Sequence, residues 1–343
     1  MLEELKSFHE DIIDPSRFPV AMVAILIVTL VGMIRGPLGG NAMPFYWHIT
    51  EILFGKFGAR MDKLGRKKGD LVFRGFVFTV FVVLFSFMLG KVAEFGGLIY
   101  SKWSMIEILA LCLTMTSGAA MAAQGRLYRA LHEKKVSQQN AYYAVARSTR
   151  TDFTSSDDYT ITRIGMGLGL KAFDKGIVAP VIWYLIFGLV GAYVFAGLSA
   201  INWLFGREGY GSGFGQTITN MERLMGFIPN VVSGLFVALA GILTPTAGMT
   251  RAFIGLMKVK GRANYEEGGL PLTAAAYALN ISLGGPTKSL DGYKISRNWI
   301  GPSSATAQLD AKHLHRMVYI NFMAHILFLA AISSMMIYAR NFF

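Results

Sequence analysis

Glu222 stands at the edge of an apolar run, in MERLMGFIP, where a carboxylate could hold a metal ion or move a proton. The glycines of GREGYGSGFG (206–215) and of LGGPTK (283–288) could cradle an anion through backbone N–H groups, with Lys288 adjacent to the second. Neither leads into G-K-[ST], so neither is a P-loop. A flexible inter-helix turn is the simpler reading of the first. For the second, a helix C-cap with glycine and then proline competes evenly with an anion site. His313 and His315 in LDAKHLHR lie two apart, which points them to different faces of a helix and favours a solvated interfacial helix over a metal site. His325 falls within the last apolar run, where a hydrogen bond to a neighbouring helix explains it better than catalysis. Asp157 and Asp158 follow TSS as charges that complement a helix N-terminus. The chain shows no Ser-His-Asp order, no nucleophile elbow and no cysteine in polar surroundings.

The elements that must position these residues are membrane helices. At 343 residues, the chain is 53% hydrophobic and 16% charged, with a mean hydropathy of +0.44, too apolar for an ordinary soluble domain. Uncharged runs recur at about 18–34, 75–90, 108–124, 176–204, 224–250 and 317–339, and about 20 such residues cross a hydrocarbon core. Fold class is therefore all-α, a single polytopic domain of about six spans. Acidic residues precede the first run, unlike the basic start of a cleavable signal. The one cysteine, Cys112, lies in an apolar run and excludes a disulfide or thiolate metal site within the chain.

Net charge is +12, and the Lys and Arg residues cluster beside the spans in the loops 35–74, 126–175 and 251–316. That placement reads as positive-inside bias and contact with anionic lipid rather than nucleic acid binding. It predicts a multi-pass protein of a bacterial inner membrane with the basic loops in the cytoplasm. Leu53, Phe54, Phe57, Met61 and Leu64 form a stripe at helical spacing, as in a helix lying at the membrane surface. SGAAMAA (117–123) permits close helix packing. The run after Lys175 exceeds one crossing at about 1.5 Å per residue, so it tilts, breaks or continues beyond the membrane. Strict alternation of spans would put Arg207 to Arg223 on the side opposite the basic loops, unless the fourth run re-enters or the fifth does not cross.

GIVAPVIWYLIFG, AINWL, GY, FIPNVVSGL and GGLPLTAAAYALNISLGGP, in that order from Gly176 to Pro286, resemble the CobD/CbiB family of cobalamin biosynthesis. RGPLGGNAMPFYWHITEIL resembles a loosened form of an early segment of that family, and the likeness runs from about Arg35 to Pro302. The resemblance implies a membrane-bound adenosylcobinamide-phosphate synthase, joining adenosylcobyric acid to an aminopropanol phosphate through an ATP-dependent amide bond. It implies Mg-ATP and a corrinoid as ligands, catalytic roles for Asp152, Arg163 and Glu222, and cofactor contacts at Asn202, Tyr210, Gly284, Gly285 and Lys288, with no metal ligand assigned.

The departures from that pattern are chemical. Where the family carries Glu-Asn-Thr-x-Asp, this chain reads Lys171, Ala172, Phe173, Asp174 and Lys175; where it carries Asn-Thr-Leu-Asp-Ser, the chain reads Asn202 to Gly206, with Phe205 at the acid. Leu272 stands at a further acid position, and Glu222 survives. Mg²⁺ is held by carboxylates that bridge to substrate phosphates, so these replacements remove its ligands. Two functions follow: a synthase of the family's kind, or a non-catalytic relative acting as scaffold or accessory subunit, alone as a homo-oligomer or with other membrane proteins.

Overall fold

The computed structural model describes residues 14–63, 65–99, 104–133, 138–206, 213–290, 292 and 294–342. Among the described residues, twelve α-helices carry the fold. They are α1 (Arg17–Arg35), α2 (Phe45–Met61), α3 (Lys68–Ile99), α4 (Ser104–Thr114), α5 (Gly118–Glu133), α6 (Gln138–Thr149), α7 (Asp158–Phe173), α8 (Ala179–Phe205), α9 (Phe214–Leu243), α10 (Met249–Met257), α11 (Gly269–Leu279) and α12 (Ala311–Phe342). A π turn, Asp174–Val178, joins α7 to α8 without interruption. Between α11 and α12, β1 (Leu283–Gly284) pairs antiparallel with β4 (Trp299–Ile300), and β2 (Thr287–Lys288) with β3 (Lys294–Ile295). Five helices among the described residues are long and apolar enough to cross a membrane, six if α4 and α5, bent by 44°, count as one broken span. This is a multi-pass all-α membrane protein.

The fourth apolar run is a hairpin. Phe187 and Gly188 leave helical geometry, Gly188 at φ 65° and ψ −156°. Lys175 precedes that break by twelve residues and Ser199 follows it by eleven. A straight helix would separate the two by about 36 Å, yet both lie 2.7 Å from the same oxygen of Glu222. The chain therefore goes in, turns at Phe187–Gly188 and comes back. The returning arm follows α3 along its length: Val190 N donates to Glu94 Oε1 at 3.3 Å, Gly197 packs on Ser86, and the Phe205 and Phe78 rings meet at 5.5 Å. Gly75, near the start of α3, then touches the backbone of Phe214 at the start of α9. The end of α8 and the start of α9 thus lie at the end of α3 that carries Arg66, Lys67, Lys68 and Arg74, called the basic face below. A doubled fourth run thereby brings the start of α9, within 213–223, to the side of the basic loops, while 207–212 lie outside the described residues.

Small residues set the closest approaches. A Cβ on Gly118 would strike the backbone of Thr29 and Met33, and one on Gly32 would strike Ala119, so α1 and α5 cross where SGAAMAA predicts. The face of α2 buried in the protein is not its apolar stripe. Its buried residues are Tyr46, Trp47, Thr50, Phe54 and Gly58, while Leu53 and Phe57 are half exposed; Leu64 lies outside the described residues. Only Phe54 belongs to both sets, because α2 packs edge-on against α3 through the rings of Phe78, Phe81 and Phe85. The fifth run ends at Leu243, before Thr244, with α10 separate after it.

Irregular backbone inside the bundle is tied to itself. The break between α4 and α5 meets the π turn through Thr116 N to Gly176 O at 2.9 Å, and the 36–44 loop through Thr116 Oγ1 to Ala42 O at 2.6 Å. Ala42 N in turn donates to Ser148 Oγ at 2.8 Å. Non-helical backbone at membrane depth needs such partners, since lipid offers none.

Candidate functional site

The hairpin brings its two arms and α9 together around Glu222, which is fully buried. Oε1 accepts from Lys175 Nζ and Ser199 Oγ, each at 2.7 Å, and Oε2 accepts from Asn202 Nδ2. Asn202 is fixed in turn by Thr219 Oγ1, which donates to its Oδ1 at 2.7 Å. Lys175 comes from the π turn, where the widened backbone moves it inward, and its ammonium sits 4.3 Å from the centre of the Tyr265 ring. Burial holds the Tyr265 hydroxyl well above its ordinary pKa, so it remains neutral. Asp174, next in the chain, faces a second set of donors: Ser233 Oγ to Oδ1 and Asn230 Nδ2 to Oδ2, both at 2.7 Å. Asn230 Oδ1 also accepts from Leu270 N at 2.9 Å, tying α9 to α11.

Both interior carboxylates are therefore engaged by the protein's own donors. Each of their four oxygens already accepts from an N–H or O–H donor, and the charge of Glu222 is balanced by Lys175. Mg²⁺ binds through carboxylate oxygens and water at about 2.0–2.1 Å; at Glu222 it would have to displace the Lys175 ammonium, and at Asp174 it would have to enter between the Ser233 and Asn230 donors. Among the described residues, no three His, Cys, Asp or Glu side chains converge in a way that could hold a metal ion. The residues present do not fit Mg-ATP.

Toward the basic face, two adjoining cavities of about 60 Å³ each open beside this cluster. Thr149, Lys171, Glu266, Glu267 and Arg297 line both; Arg163 and Gly284 complete one, and Arg150, Asn202 and Trp203 the other. Ligand pockets for drug-sized molecules occupy about 300–1,000 Å³; each chamber is smaller, but a more open depression of about 560 Å³ shares Thr287 with the first and is lined by Asp157, Thr160, Lys288 and Lys294.

The residues picked from the sequence scatter around these cavities. Glu222 and Asn202 meet directly, and Arg163 lines the first cavity. Arg163 stacks on Trp299 at 4.8 Å, and its guanidinium donates to Thr160 Oγ1 at 2.8 Å. Asp152 lies apart from Glu222. It closes a turn by accepting from Thr154 N and Thr154 Oγ1 and pairs with Lys288 at 3.3 Å. The Thr154 backbone and hydroxyl, with Lys288 beside them, keep its carboxyl below the usual range. Gly284 and Gly285 are a turn between strands, both at positive φ, against Asn298 and Trp299. The helix before them ends at Leu279, with Asn280 in the left-handed conformation, so LGGPTK is not a C-cap. Tyr210 lies outside the described residues.

Asp157 is the N-cap of α7, accepting from Thr160 N at 2.9 Å. His313 pairs with Asp310 at 2.7 Å, while His315 faces Tyr128, so the two histidines point apart. His325 bonds within its own helix, to Asn321 O at 2.7 Å, and lays its ring on Phe173. A hydrogen bond to a neighbouring helix, expected for it, is replaced by this aromatic contact.

Sequence reasoning missed the cavity's own charges. Arg150, Arg297, Glu266 and Glu267 sit in loops or at helix ends with no motif around them, and only the fold collects them.

A family model described as CobD/Cbib protein matches residues 22–321. The cobalamin biosynthesis protein CobD of Clostridium acetobutylicum is 23% identical over 317 residues, covering 90% of this chain and 96% of that protein. CobD of a Sinorhizobium species is 25% identical over 270 residues, covering 75% and 81%, and that of Brucella melitensis biotype 1 is 30% identical over 133 residues, covering 38% and 40%. No solved structure matches significantly. With the match running through the hairpin, the Glu222 cluster and the cavities, this chain belongs to the CobD/CbiB family.

Proposed function

We propose that this chain serves cobalamin biosynthesis as a non-catalytic member of its family, a scaffold or accessory subunit in the bacterial inner membrane, with its basic face in the cytoplasm. The buried pair of Lys175 and Glu222 carries this reading. ATP-dependent amide formation needs a divalent cation to neutralise the phosphates, and here an ammonium fixed in the protein already spends the charge of the one acid retained at the expected positions. The named relatives support the pathway. Partners are other membrane proteins or a second copy of this chain, with anionic lipid at the basic loops.

The test is complementation of a bacterial strain that lacks adenosylcobinamide-phosphate synthase, with membrane insertion verified by a tag. The expected result is no cobinamide production from a fully inserted protein, alongside co-purification of cobalamin-pathway membrane proteins. Complementation that disappears in Glu222→Gln would make the chain a working synthase and overturn the proposal.

A further inference from the structure

The chain from α9 to α12 begins and ends on the basic face. α1 starts at the hairpin turn, where Arg17 Nη1 donates to Leu185 O at 3.1 Å and to Ile186 O at 3.2 Å, so its other end, at Arg35 and Arg126, lies away from the turn. α12 runs the same course in reverse. His315 lies against Tyr128, near Arg126, and Ser333 Oγ donates at 3.4 Å to Met22 Sδ, five residues after Arg17. The stretch 214–310 therefore makes no net crossing, and among its described helices only α9 is long and apolar enough to make one.

The contacts of α9 show its course. It enters along the returning arm of α8, with Gly215 on Phe205 O, Thr219 bonded to Asn202, and Ser199 bonded to Glu222. Beyond Glu222 it leaves that arm. Asn230 and Ser233 bond Asp174, and the Phe236 ring meets Phe328 at 5.4 Å, which in turn meets Phe173 at 6.1 Å. Ser199 follows Gly188 by eleven residues and Phe173 precedes Phe187 by fourteen, about 16 Å and about 21 Å from the turn. Between Glu222 and Phe236, about 21 Å of helix, the depth thus changes by about 5 Å. Pro229, which removes a helical hydrogen bond, stands within that stretch. The helix runs across the bundle rather than through the membrane.

α10 then doubles back beside α9, with Met249 against Gly241 and Leu256 against Gly234. The segment that follows is held to the core by its backbone: Tyr277 Oη donates to Lys260 O at 3.2 Å, and Gly301 N to Gly261 O at 3.0 Å. Its side chains are left outside. Met257 is 88% exposed and Val259 87%, with Lys258, Lys260 and Arg262 exposed beside them. From this arrangement we infer that α9 is re-entrant and that 257–262 docks on the anionic lipid leaflet at the basic face, Met257 and Val259 entering the headgroup boundary and the three cations meeting the headgroups. The segment carries no acid and continues the exposed apolar side of α9 and α10 at Leu239, Ile242 and Ile254, which selects lipid as the occupant. Apolar burial and attraction to anionic headgroups add in such an anchor. The inference rests on the proposed function only in taking the basic face as cytoplasmic, and it assigns the lipid contact there to one segment.

The test places a nitroxide at Val259→Cys, in a Cys112→Ser background, on the purified full-length protein in nanodiscs. Power saturation compares collisions with oxygen, which dissolves in lipid, and with a water-soluble nickel chelate. In discs of phosphatidylcholine with phosphatidylglycerol the label should favour oxygen, and in phosphatidylcholine alone it should move toward the chelate. One cation near an anionic surface shifts the embedded-to-exposed balance by roughly fivefold, so Lys260→Gln with Arg262→Gln should lower it about twenty-five-fold in the mixed discs. If that double variant fails to insert, the single variants decide, at about fivefold each. A label at Leu239→Cys should favour oxygen in both lipids. A Val259→Cys label that meets the chelate in the mixed discs, or behaves alike in both lipids, would overturn the docking surface. Dipolar broadening between labels, the sign of a second copy covering the segment, would overturn it too. In cells, Thr250→Cys should react with a membrane-impermeant maleimide from the side of Lys68→Cys, and reaction from the side of Lys91→Cys would overturn the re-entrant course of α9. Each of these failures leaves the complementation result standing.

Discussion

Removing the amine of Lys175 while keeping its length, Lys175→Met, isolates the buried ion pair. The side chain of Lys175 is 3% exposed and that of Glu222 is 0%, so an unpaired Glu222 cannot recover its hydration from bulk water. Ser199 and Asn202 would still donate to it, but two neutral donors do not offset a buried charge. Breaking one side of a buried pair costs about 3–5 kcal/mol, while replacing both partners is often neutral or stabilising. The expected loss for Lys175→Met is therefore about 3–5 kcal/mol, or about 4–7 °C in the unfolding midpoint at about 2.1 cal/mol/K per residue over 343 residues. Glu222→Gln alone strands the ammonium and should cost a similar amount. The double variant Lys175→Met/Glu222→Gln keeps the hydrogen bonds of Ser199 and Asn202 with no charge left over, and should return to within about 1 kcal/mol of the native protein. Thermal unfolding in one detergent, read by tryptophan fluorescence and size-exclusion profile, completes the double-mutant cycle. Single variants that each cost less than about 1 kcal/mol, or a double variant as damaged as the sum of the two, would refute the buried pair.

Other consequences follow from single elements. Asp157→Ala removes the N-cap of α7 and should cost about 1 kcal/mol. The side-chain and backbone hydrogen bonds of Thr160 hold the Asp157 carboxyl below its ordinary range, so this contribution is present above the unfolded pKa of about 3.9 and is lost as pH falls through the lower folded value. Wild type and variant should therefore begin to converge below about pH 4 in an unfolding series and meet only below the lowered folded value. Gly118→Val drives a side chain into the α1 backbone and should cost about 1–3 kcal/mol or abolish insertion, whereas Gly125→Ala, with open space around it, should be neutral or stabilising by up to about 1 kcal/mol. In a Cys112→Ser background, Gln216→Cys should react with a membrane-impermeant maleimide from the same side as Lys68→Cys and the side opposite Lys91→Cys; labelling together with Lys91→Cys would contradict the hairpin.

Local chemistry that was written locally could be read from the residues. The α1–α5 crossing shows in the small residues around Gly118, and the cap of α7 in the TSSDD that precedes it. The hairpin could not be located. Gly188 is one of several glycines in an uncharged run, and a glycine in a membrane helix signals close packing as readily as a turn. Only the length of the run hinted that it could not be one crossing. The apolar stripe of α2 is legible from periodicity, with Leu53 and Phe57 on it half exposed; the face buried in the protein, with Tyr46 and Trp47, is not, because periodicity does not say which neighbour a face meets. LGGPTK was weighed as a C-cap or an anion site, and its glycines serve a strand turn because Asn280 had already ended the helix. At the candidate site, the exchange of acids for Lys171 and Lys175 could be read, but its outcome could not. One lysine neutralises Glu222 and the other faces a cavity, a division set by the π turn, which has no signature in the sequence.

Direct metal binding tests the central claim, that a protein-borne ammonium stands in for a divalent cation at Glu222. Mn²⁺ titrated into the purified protein and followed by electron paramagnetic resonance should stay free up to millimolar concentrations in the wild type. Lys175→Asp, which restores a second carboxylate beside Glu222, should bind about one equivalent. Stoichiometric Mn²⁺ binding by the wild-type protein that Glu222→Gln abolishes would contradict the account.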